Sequence, residues 1–131
     1  MNYIMVNIDT LTGLINKIEG FQTRLKELHW NTGPISIHKL IDEFQDELGE
    51  FEDAAVENAV PFVGFFEIGT LKPTLPDEST FSDVLEGIRG LVISYKREIG
   101  DSLMWSGSIN IIDDFLSTIN RFIYLVKIEK K

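Results

Sequence analysis

Both histidines of the chain fall in one stretch, His29-Trp30-Asn31-Thr32-Gly33-Pro34-Ile35-Ser36-Ile37-His38, and Asp42, Asp53 and Glu57 follow at helical spacing. Imidazole nitrogen and carboxylate oxygen together form a donor set for a divalent transition metal. The chain has no cysteine, which removes disulfides and thiolate ligands and leaves iron, manganese or zinc as the metals such a set would suit. A plainer reading stands beside this one: outward carboxylates are what any soluble amphipathic helix shows to water.

These residues sit on elements that hydrophobic spacing predicts. A first helix starts near Asp9 or Thr10 as N-cap and carries Leu11, Leu14, Ile15, Ile18, Phe21, Leu25 and Leu28 at three- and four-residue intervals. Gly33 and Pro34 break it, and a second helix takes Ile37, Leu40, Ile41, Phe44, Leu48, Phe51 and Ala55 before Pro61 stops it. A short turn between two long helices makes them pack antiparallel. From Pro61 to Ser79 the periodicity is lost, and Gly64, Gly69, Pro73 and Pro76 mark a long crossover with one short helical turn. Thr80 and Asp83 suit a capping box for a third helix that closes at Gly100, and a fourth runs from about Ser108 to Ile128. Four helices with a long middle connection predict an all-α, ferritin-like four-helix bundle in which the crossover lets helices two and three run parallel. The whole chain, 1–131, reads as a single domain.

At 100° per residue, His38, Asp42, Asp46, Gly49, Asp53 and Glu57 face away from the stripe centred on Phe44. Gly49 weakens the middle of a helix, and Val56 gains nothing from facing water, so this outer face suits close approach by a partner. At 1.5 Å rise, His38 and Asp53 stand about 22 Å apart along one helix and cannot share a metal within one subunit. Two copies crossing antiparallel about a two-fold axis near residues 47 and 48 would place His38 and Asp42 of one against Asp53 and Glu57 of the other. Such an isologous dimer contains two identical composite sites. His29 falls near the apolar stripe of its helix and also reads as a core histidine, and Trp30 also reads as a packing residue whose indole N–H needs one partner.

Composition narrows the function classes. A net charge of -9 over 131 residues argues against a general nucleic-acid binder and favours cations as small partners. The basic end, Lys127-Ile128-Glu129-Lys130-Lys131, offers little phosphate-tracking surface against that background. Met1 to Asp9 has no basic start or long apolar stretch and no run approaches the ~20 apolar residues of a membrane span, so a soluble, cytoplasmic protein is expected. No glycine-rich phosphate loop, Glu-x-x-His pair or Ser-His-Asp signature occurs.

The block His29-Trp30-Asn31, Gly33-Pro34, His38, Asp42, Asp53 and Glu57 resembles the mini-ferritins called Dps, the DNA-binding proteins from starved cells. Ala59-Val60, Gly64, Gly69-Thr70 and Arg97-Glu98-Ile99-Gly100 extend the likeness over most of the chain. The resemblance implies a dodecameric shell that oxidises Fe(II), preferably with hydrogen peroxide, and stores ferric mineral against oxidative stress. It implies metal ligands His29, His38 and Asp42 from one subunit and Asp53 and Glu57 from its two-fold partner. Iron is the implied metal, with zinc or manganese as substitutes, and Trp30 would quench radicals beside the centre. Two departures stand out: the His29 to His38 interval is shorter than the family's usual one, and the lysine-rich N-terminal arm that many relatives use on DNA is missing. The alternatives are a non-catalytic ferritin-like assembly protein, with a structural metal or a metal-free two-fold interface, and a monomeric four-helix binding module.

Overall fold

The computed structural model describes residues 6–131, all helix and connection with no strand among them. Residues 1–5, on which most of the leader expectation for Met1 to Asp9 falls, lie outside the described residues. Helix α1 spans Ile8–Asn31, α2 Ile35–Val63, α3 Phe81–Ile99 and α4 Ser106–Glu129, with a 3₁₀ turn at Leu103–Trp105 leading into α4.

Local chemistry sets these boundaries and corrects several expected ones. The N-cap of α1 is Asn7, not Asp9 or Thr10: its Oδ1 accepts from the Thr10 N–H at 2.9 Å while Thr10 Oγ1 accepts from the Asn7 N–H at 3.3 Å. This reciprocal pair satisfies two donors that the helix leaves open. Pro61 does not stop α2: it costs the helix one hydrogen bond, to the Glu57 carbonyl, but only two helical residues follow it, and the end is set by Gly64, whose φ of 90° only glycine adopts freely. Thr80 Oγ1 accepts from the Asp83 N–H at 3.1 Å, the forward half of the expected capping box, and Gly100 closes α3 at φ 73°. The 3₁₀ turn feeds α4 two residues ahead of Ser108. Between α2 and α3 there is no helical turn, only a tight turn in which the Thr70 N–H donates to the Glu67 carbonyl.

Each helix buries one stripe in a common core. Phe44, fully buried, meets the rings of Phe81, Phe115 and Phe122 at 6.1, 6.0 and 5.1 Å, and Phe51 stacks on Phe115 at 4.4 Å. Aromatic pairs at these separations contribute about 0.5–1.5 kcal/mol each beyond the area they bury. α1 packs on α2 and α3, and α4 packs on the same two. Contacts along the seams fix directions. Gln22 Nε2 donates to the Gln45 carbonyl (3.0 Å) and His29 meets His38, so α1 and α2 are antiparallel. Ser36 reaches Glu129 at one end of the α2/α4 seam and Phe62 reaches Trp105 at the other, while Lys96 pairs with Asp113 and Lys130 with Ser82 along α3/α4.

The connection 64–80 is strapped onto α1. The Lys72 and Thr74 N–H groups donate to the side chain and backbone oxygens of Asn16 at 2.7 and 3.0 Å, and the Arg24 guanidinium donates to the Glu78 carbonyl. Gly20 lies directly beneath: a Cβ there would stand 1.6 Å from the Thr74 carbonyl oxygen.

Candidate metal centre

The turn between α1 and α2 brings the two histidines together. His29 occupies the last turn of α1, and His38 lies one turn inside α2. Their rings stack at a centroid distance of 4.0 Å with 28° between planes. Both are half-buried, so His29 stands at the edge of the bundle and not in its core. His29 Nδ1 is sealed from water and has no hydrogen-bond partner, a state that costs about 1–3 kcal/mol in an interior.

The carboxylates are placed differently. Asp42 is exposed one turn beyond His38, and Asp53 and Glu57 are exposed toward the far end of α2. Among the described residues no three His, Asp or Glu side chains converge closely enough to hold a metal ion. The chain thus supplies an imidazole pair with a nearby carboxylate, and a separate carboxylate pair.

Three neighbouring residues revise the picture drawn from sequence. Trp30 is 73% exposed, beside an Ile35 that is 66% exposed, and does not serve as a packing residue within the subunit. Val56 is half-buried against the core, so its apolar character has a reason inside the chain. Gly49 has room for a methyl group, which would meet only Gln22 Nε2 at 3.8 Å, so packing within the chain does not require glycine there.

Sequence reasoning missed a carboxyl pair across the same seam. Glu52 of α2 faces Glu19 of α1, its Oε2 buried without a hydrogen-bond partner, and burial first, then the charges of Glu19 and Asp53, push the Glu52 carboxyl up to about 7. The pairing follows from the hairpin register that Gln22–Gln45 reveals, and helical periodicity within either helix does not contain it. Away from this face, burial first and then Glu98 push the Tyr95 hydroxyl up to about 12, in a cleft between α1 and α3 that no expected site residue enters.

No protein-family model matches the chain, no curated protein matches it, and no solved structure matches it.

Proposed function

We propose that this chain is a Dps-like ferroxidase and iron-storage protein, whose substrate Fe(II) binds between two subunits and is oxidised by hydrogen peroxide. The observation that carries the reading is the His29–His38 ring pair, at 4.0 Å, on the same hairpin face as an exposed Asp42, with Asp53 and Glu57 exposed on α2 but out of reach. A site split this way needs a second copy, and an antiparallel crossing of two α2 helices would supply it. The antiparallel contacts also leave α2 and α3 pointing the same way, which supports a ferritin-like bundle with a long crossover.

The donor set suits the cargo: two imidazole nitrogens and carboxylate oxygens with no sulfur fit Fe(II), with zinc or manganese as substitutes. His29, His38 and Asp42 would hold the ion, with Asp53 and Glu57 of the partner subunit. The unpartnered His29 Nδ1 is the group with most to gain from an ion or a polar neighbour. Two Fe(II) ions each give one electron, peroxide takes both as its O–O bond breaks, and two protons from water complete two water molecules. The chain's task is to hold, orient and exclude. Trp30, exposed in the single subunit beside His29, is placed to intercept a stray radical at such a centre.

Anaerobic titration of the protein with Fe(II), followed by substoichiometric peroxide, tests the reading. Ferric absorbance should rise much faster than in a protein-free control; an equal rate would remove the enzymatic claim. A second reading draws on the same rings, because face-to-face imidazoles pack well without any ion. The α1/α2 face would then be a subunit interface, plain or metal-stapled, in a non-catalytic assembly protein. That reading expects Asp53→Asn with Glu57→Gln to assemble and consume peroxide as the parent does.

A further inference from the structure

Between the first half of α1 and the second half of α3 lies a cleft of about 210 Å³ that the metal reading leaves unused. Leu14 and Leu91 form its apolar side, Tyr95 walls it, and Asp9, Lys17 and Glu98 bring three charges to it. Tyr95 is only 4% exposed, and its hydroxyl, shielded from water, has no hydrogen-bond partner. An unmet buried hydroxyl costs about 1–3 kcal/mol. The core offers it nothing: Ser108, the one buried polar residue among those described, is itself unpartnered. The polar groups near Tyr95 belong to the cleft, and Glu98, one turn along α3, is close enough for its charge to act on the hydroxyl.

The side chains of Asp9, Lys17 and Glu98 make no hydrogen bond or ion pair among the described residues. Their signs define what fits. Two carboxylates require two cationic groups, the Lys17 ammonium and the Tyr95 hydroxyl require one carboxylate, and Leu14 and Leu91 suit a short aliphatic chain. A molecule with those parts is a basic amino acid. Size agrees: at ~30 Å³ per water the cleft holds about seven waters, below the roughly 300–1,000 Å³ of sites for drug-sized ligands. Gly13 lines the same cleft, and a Cβ there would meet nothing within 4 Å. Glycine inside a helix costs about 0.5–1 kcal/mol, and here it keeps the cleft open without serving any packing need.

We propose that the α1/α3 cleft binds a free basic amino acid, its two cationic groups on Asp9 and Glu98 and its carboxylate on Lys17 and the Tyr95 hydroxyl. The site does not depend on the metal reading. Isothermal titration calorimetry with L-arginine and L-lysine, in chelator and corrected against equal sodium chloride, tests it. Saturable binding of one molecule per chain is expected, with none for L-leucine or L-glutamate. Putrescine, which lacks the carboxylate, should bind about tenfold more weakly than arginine. Lys17→Gln should bring arginine down to that level without weakening putrescine. Gly13→Leu should abolish binding while helical circular dichroism and Tm hold or rise, and Lys17→Gln, at an exposed position, keeps the test valid if Gly13→Leu misfolds. Tyr95→Phe should raise the Tm of the ligand-free protein yet weaken arginine about threefold, a pairing that a tyrosine serving only to pack would not give. No saturable heat with either basic amino acid, or binding that Gly13→Leu and Lys17→Gln both leave unchanged, would overturn the proposal. So would putrescine binding as tightly as arginine.

Discussion

Helix α2 presents two contrasting surfaces that meet at Glu57 and Asn58. Up to Glu57 it carries eight acids and one lysine; from Asn58 onward it carries no charge. The first surface has histidines, carboxylates and a glycine, and two copies brought together there place like charges side by side, at about 1 kcal/mol per pair at 4 Å in water. Cations or protons must relieve that. The second, with the 3₁₀ turn that Phe62 meets at Trp105, has exposed phenylalanine, leucine and methionine, and any contact there would be driven by release of water. A contact on the first should respond to metal and pH and be altered by screening salt, and a contact on the second should ignore metal and pH and tighten in excluded salts such as sulfate.

The most severe way to break the contrast is to remove the core that both surfaces share. Phe44→Ala, which empties a fully buried position amid three aromatic rings, should lower unfolding free energy by about 3–5 kcal/mol in urea melts and weaken both surfaces together. More selectively, Asp53→Asn with Glu57→Gln should slow peroxide-driven Fe(II) oxidation by ~100-fold or more, since even the outer partners of metal ligands are worth about 10–100-fold. Stopped-flow ferric absorbance measures this.

A smaller effect comes from Glu52. Its carboxyl is pushed up to about 7 from 4.5, so between those values the folded protein keeps a proton that the unfolded chain has released. The stability this group provides is full below about pH 4.5 and is lost as pH rises through about 7. Glu52→Gln, a mimic of the protonated form, should raise Tm by a few degrees at pH 8 and leave it nearly unchanged near pH 4.5. The smallest expected change sharpens the contrast most. Gly49→Ala should stabilise the isolated subunit by up to about 1 kcal/mol through helix propensity, yet reduce association on the α1/α2 face if two backbones approach there.

What was legible in the sequence was local or periodic. The apolar stripes of all four helices and the cap at Thr80 follow from spacing and short-range hydrogen bonding, and Gly33-Pro34 marks the turn that sets His29 near His38. Helix ends were less legible: Asp9 and Thr10 looked like caps, but Asn7 and Thr10 close the box together, and Pro61 rides inside a turn that Gly64 ends. The Glu19–Glu52 pair and the exposure of Trp30 depend on hairpin register and on what the subunit leaves uncovered. Both are set by packing between helices, about which the pattern within one helix is silent. Whether Asp53 and Glu57 belong to a site was legible only as a separation too long for one chain.

The contact between Gly20 and the Thr74 carbonyl divides the connection 64–80 into two parts with different tolerance for change. Past Lys72 the strand of backbone is bolted to α1 by Asn16 and Arg24, with no space for even one methyl between them. Before it, from Phe65 to Thr70, the chain is exposed apart from a half-buried Phe66 and is anchored by a single turn. A peptide tag or a whole guest domain inserted at residues 67–70 should be carried without loss of fold, whereas one extra residue between Lys72 and Glu78 should unfasten the strap.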